Sequence, residues 1–385
     1  MFSRRSLIAS LPALGLGAGA RAQAPAPSAP LVGRFDIVRN RPWTSVFIQG
    51  QGPFRFLIDT GAGVAVIDPE LAARLRLPRL ESVQLQGATA ERTVEMFGGR
   101  DIVIAESLRQ RGQVAFAGGN AGGDFDGILP GGLFTGANVE IDFAALEFRI
   151  YTGAAPDRAG YTRLPLVAPP PGRRDDRLVV RVRLDGRPVA LMVDTGGTGS
   201  VLLSGEYVGK NKLWDRYPKW AAGQGQGIMD AFNLRLVRAQ SLELGPTRFS
   251  RPVVHLTDPF NPPGDGGDGV LGMDVLRRFT LSTDPAGKAL WLKPNGAVGE
   301  PFRYNRAGIE ANFAGGRCDI RSVQPDGPGA RAGVRVGDLV PAVTTGREMA
   351  RFEWFLSEEP GATVAFDLQR DGVTAPVKIV LAELL

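Results

Sequence analysis

A short phrase that occurs twice constrains this chain more than any other feature. Phe56-Leu57-Ile58-Asp59-Thr60-Gly61 ends an apolar run on an acid, and Leu191-Met192-Val193-Asp194-Thr195-Gly196 repeats the arrangement. A carboxylate in apolar surroundings is costly unless it is hydrogen-bonded or has a function. The phrase therefore predicts two special carboxylates, one in each of two similar units.

Later landmarks recur with a similar spacing. Asp194 follows Asp59 by 135 positions, and Asp268-Gly269-Val270-Leu271 follows Asp126-Gly127-Ile128-Leu129 by 142. A spacing held over several landmarks indicates a tandem duplication. The difference implies a net insertion of seven residues in the second copy.

Composition favours strands over long helices. The chain has 385 residues, enough for two or three domains, with 43% hydrophobic residues, 51 glycines and 29 prolines. Short apolar runs bounded by turn residues predict strands at Phe54 to Ile58 and Val189 to Val193, which deliver the two acids to loops. A short helix is expected over Pro69 to Leu75, with Asp68 as its N-cap.

Charge and rare residues exclude several classes of function. The net charge is +5, three positive charges lie in the first 24 residues, and no basic run follows, so a nucleic-acid role is not expected. Cys318 and His255 are the only residues of their types. An internal disulfide and a multi-histidine metal site are therefore excluded, and no metal or organic cofactor is expected. A Ser-His-Asp enzyme would have to use His255, the single histidine. Catalysis by carboxylates is the class of chemistry that these counts leave.

Residues 1–24 are typical of an export signal. Arg4-Arg5 precede a weakly apolar run, and Ala22-Gln23-Ala24 has the small-x-small pattern of a cleavage site. Ser3 to Ile8 resembles a twin-arginine signal; an ordinary secretory signal is the alternative. Residues 25–34 are interpreted as a tether. We therefore expect a bacterial protein that is periplasmic or secreted, with no stable membrane span after signal cleavage.

The two Asp-Thr-Gly phrases, each followed by Asp-Gly-hydrophobic-Leu, resemble the aspartic proteases. The resemblance is to the retropepsin-like branch with both lobes in one chain, and it covers roughly residues 35 to 295. It implies a mainly β fold with two pseudo-symmetric β-barrel lobes, at 35–155 and 162–298. It also implies an aspartic-type endopeptidase that hydrolyses peptides or unfolded proteins.

The resemblance assigns roles to the residues of each phrase. Asp59 and Asp194 would share one proton and activate a water that attacks a peptide carbonyl. Support for this dyad would come from residues that close the turns and lock the two loops together: Thr60, Gly61, Thr195 and Gly196. Substrate-covering flaps are expected at the tips of two glycine-rich hairpins, represented by Gly87, Ala88, Thr89 and Gly225.

Two departures from the family pattern carry consequences. Ala62 and Gly197 lack the hydroxyl that pepsin-like enzymes place after the motif, which predicts a less acidic pH optimum. In the first lobe Ile128-Leu129-Pro130-Gly131 has proline where the family has glycine, which questions the geometry behind Asp59.

Residues 303–385 resemble a PDZ domain of the protease-associated bacterial type. The run from Asp326 to Val340 carries the resemblance, which implies a small α+β domain that binds protein C-termini at a sheet edge. Ala307, Gly308 and Ile309 are the candidates for the carboxylate-binding loop. The domain could activate or occlude the cleft, or only pack on the lobes.

A second hypothesis comes from a different class of function. The same sequence could form a catalytically inactive, duplicated peptide-binding protein, with both acids serving as structural turn residues. Intact acids in both copies favour the enzyme.

Overall fold

The computed structural model describes residues 29–86, 91–110, 112–119, 125–168, 177–226, 231–259 and 267–385. The predicted export signal, the flap residues Gly87, Ala88 and Thr89, and the inter-lobe linker at 169–176 lie outside these segments. Among the described residues, no helix has the length and apolar character needed to cross a membrane.

Lobe 1 consists of thirteen described strands and two short helices. They are β1 (Leu31–Arg34), β2 (Asp36–Val38), β3 (Arg41–Ile48), β4 (Gln51–Asp59), β5 (Ala65–Ile67), α1 (Pro69–Arg74), β6 (Arg79–Gln86), β7 (Glu91–Gly99), β8 (Ile102–Ile104), β9 (Leu108–Gln110), β10 (Val114–Gly118), β11 (Gly127–Pro130), α2 (Gly132–Thr135), β12 (Asn138–Asp142) and β13 (Glu147–Tyr151).

Lobe 2 repeats this order. Its elements are β14 (Thr162–Pro165), β15 (Val179–Leu184), β16 (Arg187–Val193), β17 (Val201–Leu203), α3 (Gly205–Lys210), β18 (Ala221–Gln226), β19 (Ala231–Arg238), β20 (Ser241–Leu244), β21 (Thr247–Ser250), β22 (Val253–Thr257), β23 (Gly269–Leu271), α4 (Met273–Leu276), β24 (Phe279–Asp284) and β25 (Ala289–Pro294).

The sheets confirm that the two lobes are copies of one mainly β unit. Lobe 1 has a sheet in the order β6-β7-β10-β5-β11-β4-β3-β8-β9, with β2 paired to β3 at its side. Lobe 2 has β18-β19-β22-β17-β23-β16-β15-β20-β21, which is the same order strand for strand. Equivalent acids make the same contact within each copy. Asp126 accepts a hydrogen bond from the Arg55 N–H of β4 at 2.7 Å, and Asp268 accepts one from the Ala190 N–H of β16 at 2.8 Å.

A six-stranded sheet joins the lobes in the order β1-β13-β12-β24-β25-β14. Its central step pairs β12 with β24 in antiparallel fashion, so backbone hydrogen bonds cross from one lobe to the other. Residues 31–34, expected in the tether, instead form β1 and pair with β13, which corrects that boundary. The pairing uses backbone groups, and Leu31, Val32 and Arg34 keep exposed side chains, so the sequence pattern there gave no sign of a strand.

The predicted first helix forms with the predicted cap. In α1 the Asp68 carboxylate accepts the Glu70 and Leu71 N–H groups at 2.8 and 3.0 Å, and Pro69 occupies the first turn. Ser204 caps α3 in the second copy. Both helices end within six residues, so sheets dominate the lobes.

The C-terminal domain is built on a separate core. Its elements are β26 (Ile309–Ala314), β27 (Arg317–Val323), α5 (Pro328–Arg331), α6 (Gly346–Phe355), β28 (Thr363–Arg370) and β29 (Val373–Val380). The hairpin β26–β27 and the hairpin β28–β29 are linked by bridges from Leu339 to Asp319 and Gln369. Helix α6 begins with a capping box formed by Thr345 and Glu348.

Contacts at several places hold this domain and the segment that precedes it against the lobes. Phe302 packs edge-on against Phe249 with ring centroids 5.6 Å apart, and the chain end inserts Leu385 into the core of the lobes. Glu310 on β26 accepts a hydrogen bond from the Gln224 N–H of β18 at 2.8 Å. On the opposite side, α6 packs against β2, where Glu353 pairs with Arg39 at 2.9 Å.

Candidate active site

Parallel pairing delivers each acid to the meeting point of the lobes. Strand β4 pairs with β11 up to Asp59 opposite Pro130, and β16 pairs with β23 up to Val193 opposite Leu271. All three residues before Asp59 are buried. The apolar run therefore anchors each strand, and the chain turns at the acid.

Pro130 does not disrupt the loop that carries Asp59. The N–H of Gly131 donates to the Ala62 carbonyl at 3.0 Å, as the N–H of Met273 donates to Gly197 at 2.8 Å in lobe 2. A side chain at position 131 would begin 2.5 Å from the Thr60 carbonyl oxygen, so glycine is required there. The position that must be glycine is 131 in lobe 1, one residue later than the equivalent of Gly272 in lobe 2. Pro130 has no N–H, so lobe 1 lacks the hydrogen bond that the Gly272 N–H donates to the Ser200 carbonyl in lobe 2.

Thr60 and Thr195 lock the two loops reciprocally. Each hydroxyl accepts the other residue's backbone N–H, at 3.0 and 3.1 Å. Each also donates across the interface, Thr60 to the Val193 carbonyl at 2.7 Å and Thr195 to the Ile58 carbonyl at 2.6 Å. Both residues are at most 1% exposed, so these four bonds are shielded from water. The two loops are consequently fixed as one unit.

The glycines after the threonines allow the carboxylates to approach each other. A Cβ on Gly61 would lie 2.8 Å from the Asp194 Cγ, and a Cβ on Gly196 would lie 2.6 Å from the Asp59 Oδ2. Each acid also accepts backbone bonds from its own turn: Asp59 from Gly61 at 2.8 Å and Ala62 at 3.0 Å, and Asp194 from Gly196 at 2.8 Å. Each loop therefore packs its glycine against the carboxylate of the other lobe.

The carboxylates of Asp59 and Asp194 come together where the lobes meet, since each lies against the glycine of the other lobe's turn. Burial, the negative charge of Asp194 and hydrogen bonding to that acid together hold the pKa of Asp59 well above its usual range. The N–H groups of Gly61 and Ala62 oppose the shift but do not cancel it. Both side chains remain partly exposed, so solvent reaches them. Such a pair can act as an acid and a base at once.

One charged neighbour of the pair was not among the predicted site residues. The Arg41 Nε donates to the carbonyl of Gly196 at 3.1 Å, and its guanidinium interacts electrostatically with both acids. The duplication contained a signal for this residue. Arg41 lies two residues before Trp43, and Arg177 lies two residues before Val179, the equivalent position in lobe 2, although Arg177 precedes β15.

The second flap hairpin is described up to its tip. Gly225, predicted at the tip, lies instead in the arm, on β18 and opposite Phe232 of β19. The Phe232 ring explains its identity, because a Cβ on Gly225 would lie 2.4 Å from that ring. The flap positions Gly87, Ala88 and Thr89 of lobe 1 lie outside the described residues.

The candidate carboxylate loop of the C-terminal domain is mostly buried. Ala307 and Ile309 are at most 1% exposed, and the Ala307 N–H already donates to the Asn305 Oδ1 at 3.0 Å. Gly308 is partly exposed, with a positive φ of 64° that favours glycine. Of the three predicted residues, Gly308 offers the most accessible backbone.

Metal ligands do not cluster in the part of the chain that the structure describes. Within those segments no group of three His, Cys, Asp or Glu side chains could hold a metal ion. The ring of His255 packs near Gly199, and burial lowers its pKa to about 4.

Comparisons with known proteins bear on the two lobes. No curated protein matches the chain. Among 415 matching chains of solved structures is the crystal structure of a retropepsin-like aspartic protease from Rickettsia conorii. It is 21% identical, with a TM-score of 0.26, and the match covers 34% of this chain and 89% of that one. Residues 44–129 and 180–275 each match the sequence model of the aspartyl protease family. Each lobe of this chain is therefore similar to the aspartyl proteases, and the matched segments include Asp59 and Asp194.

Proposed function

We propose that the chain is an aspartic endopeptidase in which Asp59 and Asp194 together activate a water molecule. One observation supports the proposal: the duplicated fold brings the two acids together, with each carboxylate packed against the glycine of the other lobe's turn. Like charges at that separation cannot both ionise cheaply, so the pair holds one proton at moderate pH.

The singly protonated pair has both groups that peptide hydrolysis needs. The ionised carboxylate removes a proton from water, whose oxygen attacks the peptide carbonyl carbon. The protonated carboxyl gives its proton to the carbonyl oxygen, and a tetrahedral diol forms. The first carboxyl then protonates the amide nitrogen, the C–N bond breaks, and the diol returns a proton to the other carboxylate. The pair ends as it began.

The surroundings support this chemistry through rigidity. The reciprocal bonds of Thr60 and Thr195 fix the carboxylates at the small separation that proton sharing requires. The absence of a hydroxyl at Ala62 and Gly197 leaves the ionised pair with fewer donors, so we expect an optimum less acidic than that of a digestive enzyme.

The C-terminal domain and the leader extend the proposal. We infer that the domain binds peptide or protein C-termini at the free edge of β26, beside Gly308, and thereby selects or presents substrates. The predicted export signal supports action in the periplasm or outside the cell.

The test is cleavage of a fluorescently labelled, denatured protein by the wild-type chain, D59N and D194N. Each variant should lose activity by at least about 10²–10⁴-fold, because an amide cannot exchange the proton. D101N is the matched control, since Asp101 is exposed on a lobe 1 turn and should keep full activity. Undiminished cleavage by D59N or D194N would refute the dyad.

A wild-type chain without activity would favour the peptide-binding hypothesis. In that case the denatured protein should still bind, with an affinity that D59N leaves unchanged. Deletion of residues 303–385 tests the role of the C-terminal domain. Unaltered rates on every substrate would contradict substrate selection.

A further inference from the structure

The turn between β2 and β3 reaches from lobe 1 into the carboxylate loop of lobe 2. Arg39 and Asn40 both have positive φ, at 50° and 56°, which is the conformation of a tight hairpin turn that matches strand twist. The Asn40 Nδ2 donates to the Thr198 carbonyl at 2.7 Å, and Arg41 donates to the Gly196 carbonyl at 3.1 Å. Two adjacent side chains thus hold two residues, Gly196 and Thr198, of the opposite lobe.

The residue that Arg41 holds contacts both acids. The Gly196 N–H donates to Asp194 at 2.8 Å, and its α-carbon faces the Asp59 Oδ2, 2.6 Å from where a Cβ would stand. The bond from Arg41 to the Gly196 carbonyl adds a third contact that fixes this residue.

Arg41 also brings a positive charge to the pair. The charged groups around its guanidinium are Asp59 at the end of β4, Asp194 after β16, Arg39 on the preceding turn and Glu353 on α6. Glu353 is paired with Arg39 at 2.9 Å, so the repulsion between the two arginines is partly neutralised. The net field of Arg41 at the carboxylates favours their ionised forms.

We propose, on the basis of the proposed function, that Arg41 is a positioning residue of the carboxylate pair. It holds Gly196, which contacts both acids, and its charge favours the singly ionised pair over the fully protonated one. The threonine bonds set the spacing of the loops, whereas Arg41 adds a charge that no threonine can supply.

The test is a direct titration of the acids, which does not depend on catalysis. Carboxyl carbons of ¹³C-labelled aspartate are followed by NMR in wild type, R41Q, R41K and the control R34Q, with D59N and D194N used for assignment. R41Q should move the titration steps of the pair upward by about half a pH unit or more, because the stabilising charge is gone. R41K keeps the charge and should titrate like wild type.

R34Q should leave the titration unchanged, because the Arg34 side chain is 85% exposed on β1 and is paired with Glu147. An unchanged titration in R41Q, or the same upward shift in R41K or R34Q, would overturn the assignment. If R41Q fails to fold, the titration of R41K is the test. Because lysine keeps the positive charge, a shift of the carboxyl titration in R41K would reject a role of the charge.

The same variants connect the titration to activity. Both limbs of the kcat/KM profile of R41Q should move to higher pH, while R41K keeps the profile at a reduced kcat. An inactive wild-type chain would refute the proposed function, and the NMR titration would still decide whether Arg41 acts on the pair.

Discussion

Replacing Thr60 by valine removes a hydroxyl from the interface between the lobes and keeps the volume of the side chain. The hydroxyl accepts the Thr195 N–H and donates to the Val193 carbonyl. Thr60 is 1% exposed, so water cannot replace either bond. The variant therefore leaves one buried donor and one buried acceptor without a partner.

The structure sets the size of the effect. An unpaired buried polar group costs about 1–3 kcal/mol, so T60V, which leaves two such groups, should lower the free energy of unfolding by about 2–6 kcal/mol. T195V should cost as much, because it leaves the Thr60 N–H and the Ile58 carbonyl unpaired. The two threonines contact each other and belong to one hydrogen-bond network, so the effect of the double variant should differ from the sum of the single effects by about 0.5–3 kcal/mol.

The assay is urea unfolding of the full chain, followed by near-ultraviolet circular dichroism. T44V is the matched control, because Thr44 is also buried but its hydroxyl makes a single bond, to the Arg34 carbonyl on an edge strand. That carbonyl can be rehydrated, so T44V should cost about 1 kcal/mol. T60S should stay near wild type, because it keeps the hydroxyl.

The reasoning fails if T60V is no more destabilising than T44V. It also fails if T60S is as damaging as T60V, because the methyl group would then matter and the hydrogen bonds would not. In addition, T60V should reduce kcat more than it raises KM, since it loosens the carboxylate pair.

Three further outcomes are expected. G131A should destabilise the chain by about 1–3 kcal/mol in thermal or urea unfolding, because its Cβ would meet a backbone carbonyl, whereas G132A, with open space around it, should be neutral. Burial lowers the pKa of His255 from 6.5 to about 4, so stability should fall as pH drops from about 6.5 to about 4, while the unfolded chain alone binds the proton. H255Q should flatten that part of the stability–pH curve, and an unchanged slope would contradict the argument. E310A should speed hydrogen exchange at the Gln224 amide, measured by mass spectrometry, while E310Q, which keeps an acceptor, should not.

The sequence predicted the features that depend on local pattern and on repetition. The two Asp-Thr-Gly phrases and the recurring Asp-Gly landmarks predicted the duplication, and the strand order of the two lobes confirms it. The Asp68 cap and Pro69 predicted helix α1, because capping involves neighbouring residues only.

Features that depend on distant partners could not be predicted in this way. Strand β1 was assigned to the tether, because its side chains are mostly exposed and its partner β13 lies more than a hundred residues away. Pro130 suggested a disturbed loop, whereas the Gly131 N–H restores the bond to Ala62. Gly225 was placed at a tip, although the Phe232 ring on the opposite strand explains the glycine.

The sequence by itself identified the two candidate residues for the proposed chemistry, because an acid after an apolar strand is unusual enough to be recognised twice. Only the tertiary structure decided how the acids interact, because each carboxylate packs against the glycine of the other lobe's turn. It also showed that Arg41, which belongs to lobe 1, holds the Gly196 peptide of lobe 2. Neither effect is local, because each arises where two chain segments separated by more than a hundred residues meet in a buried interface.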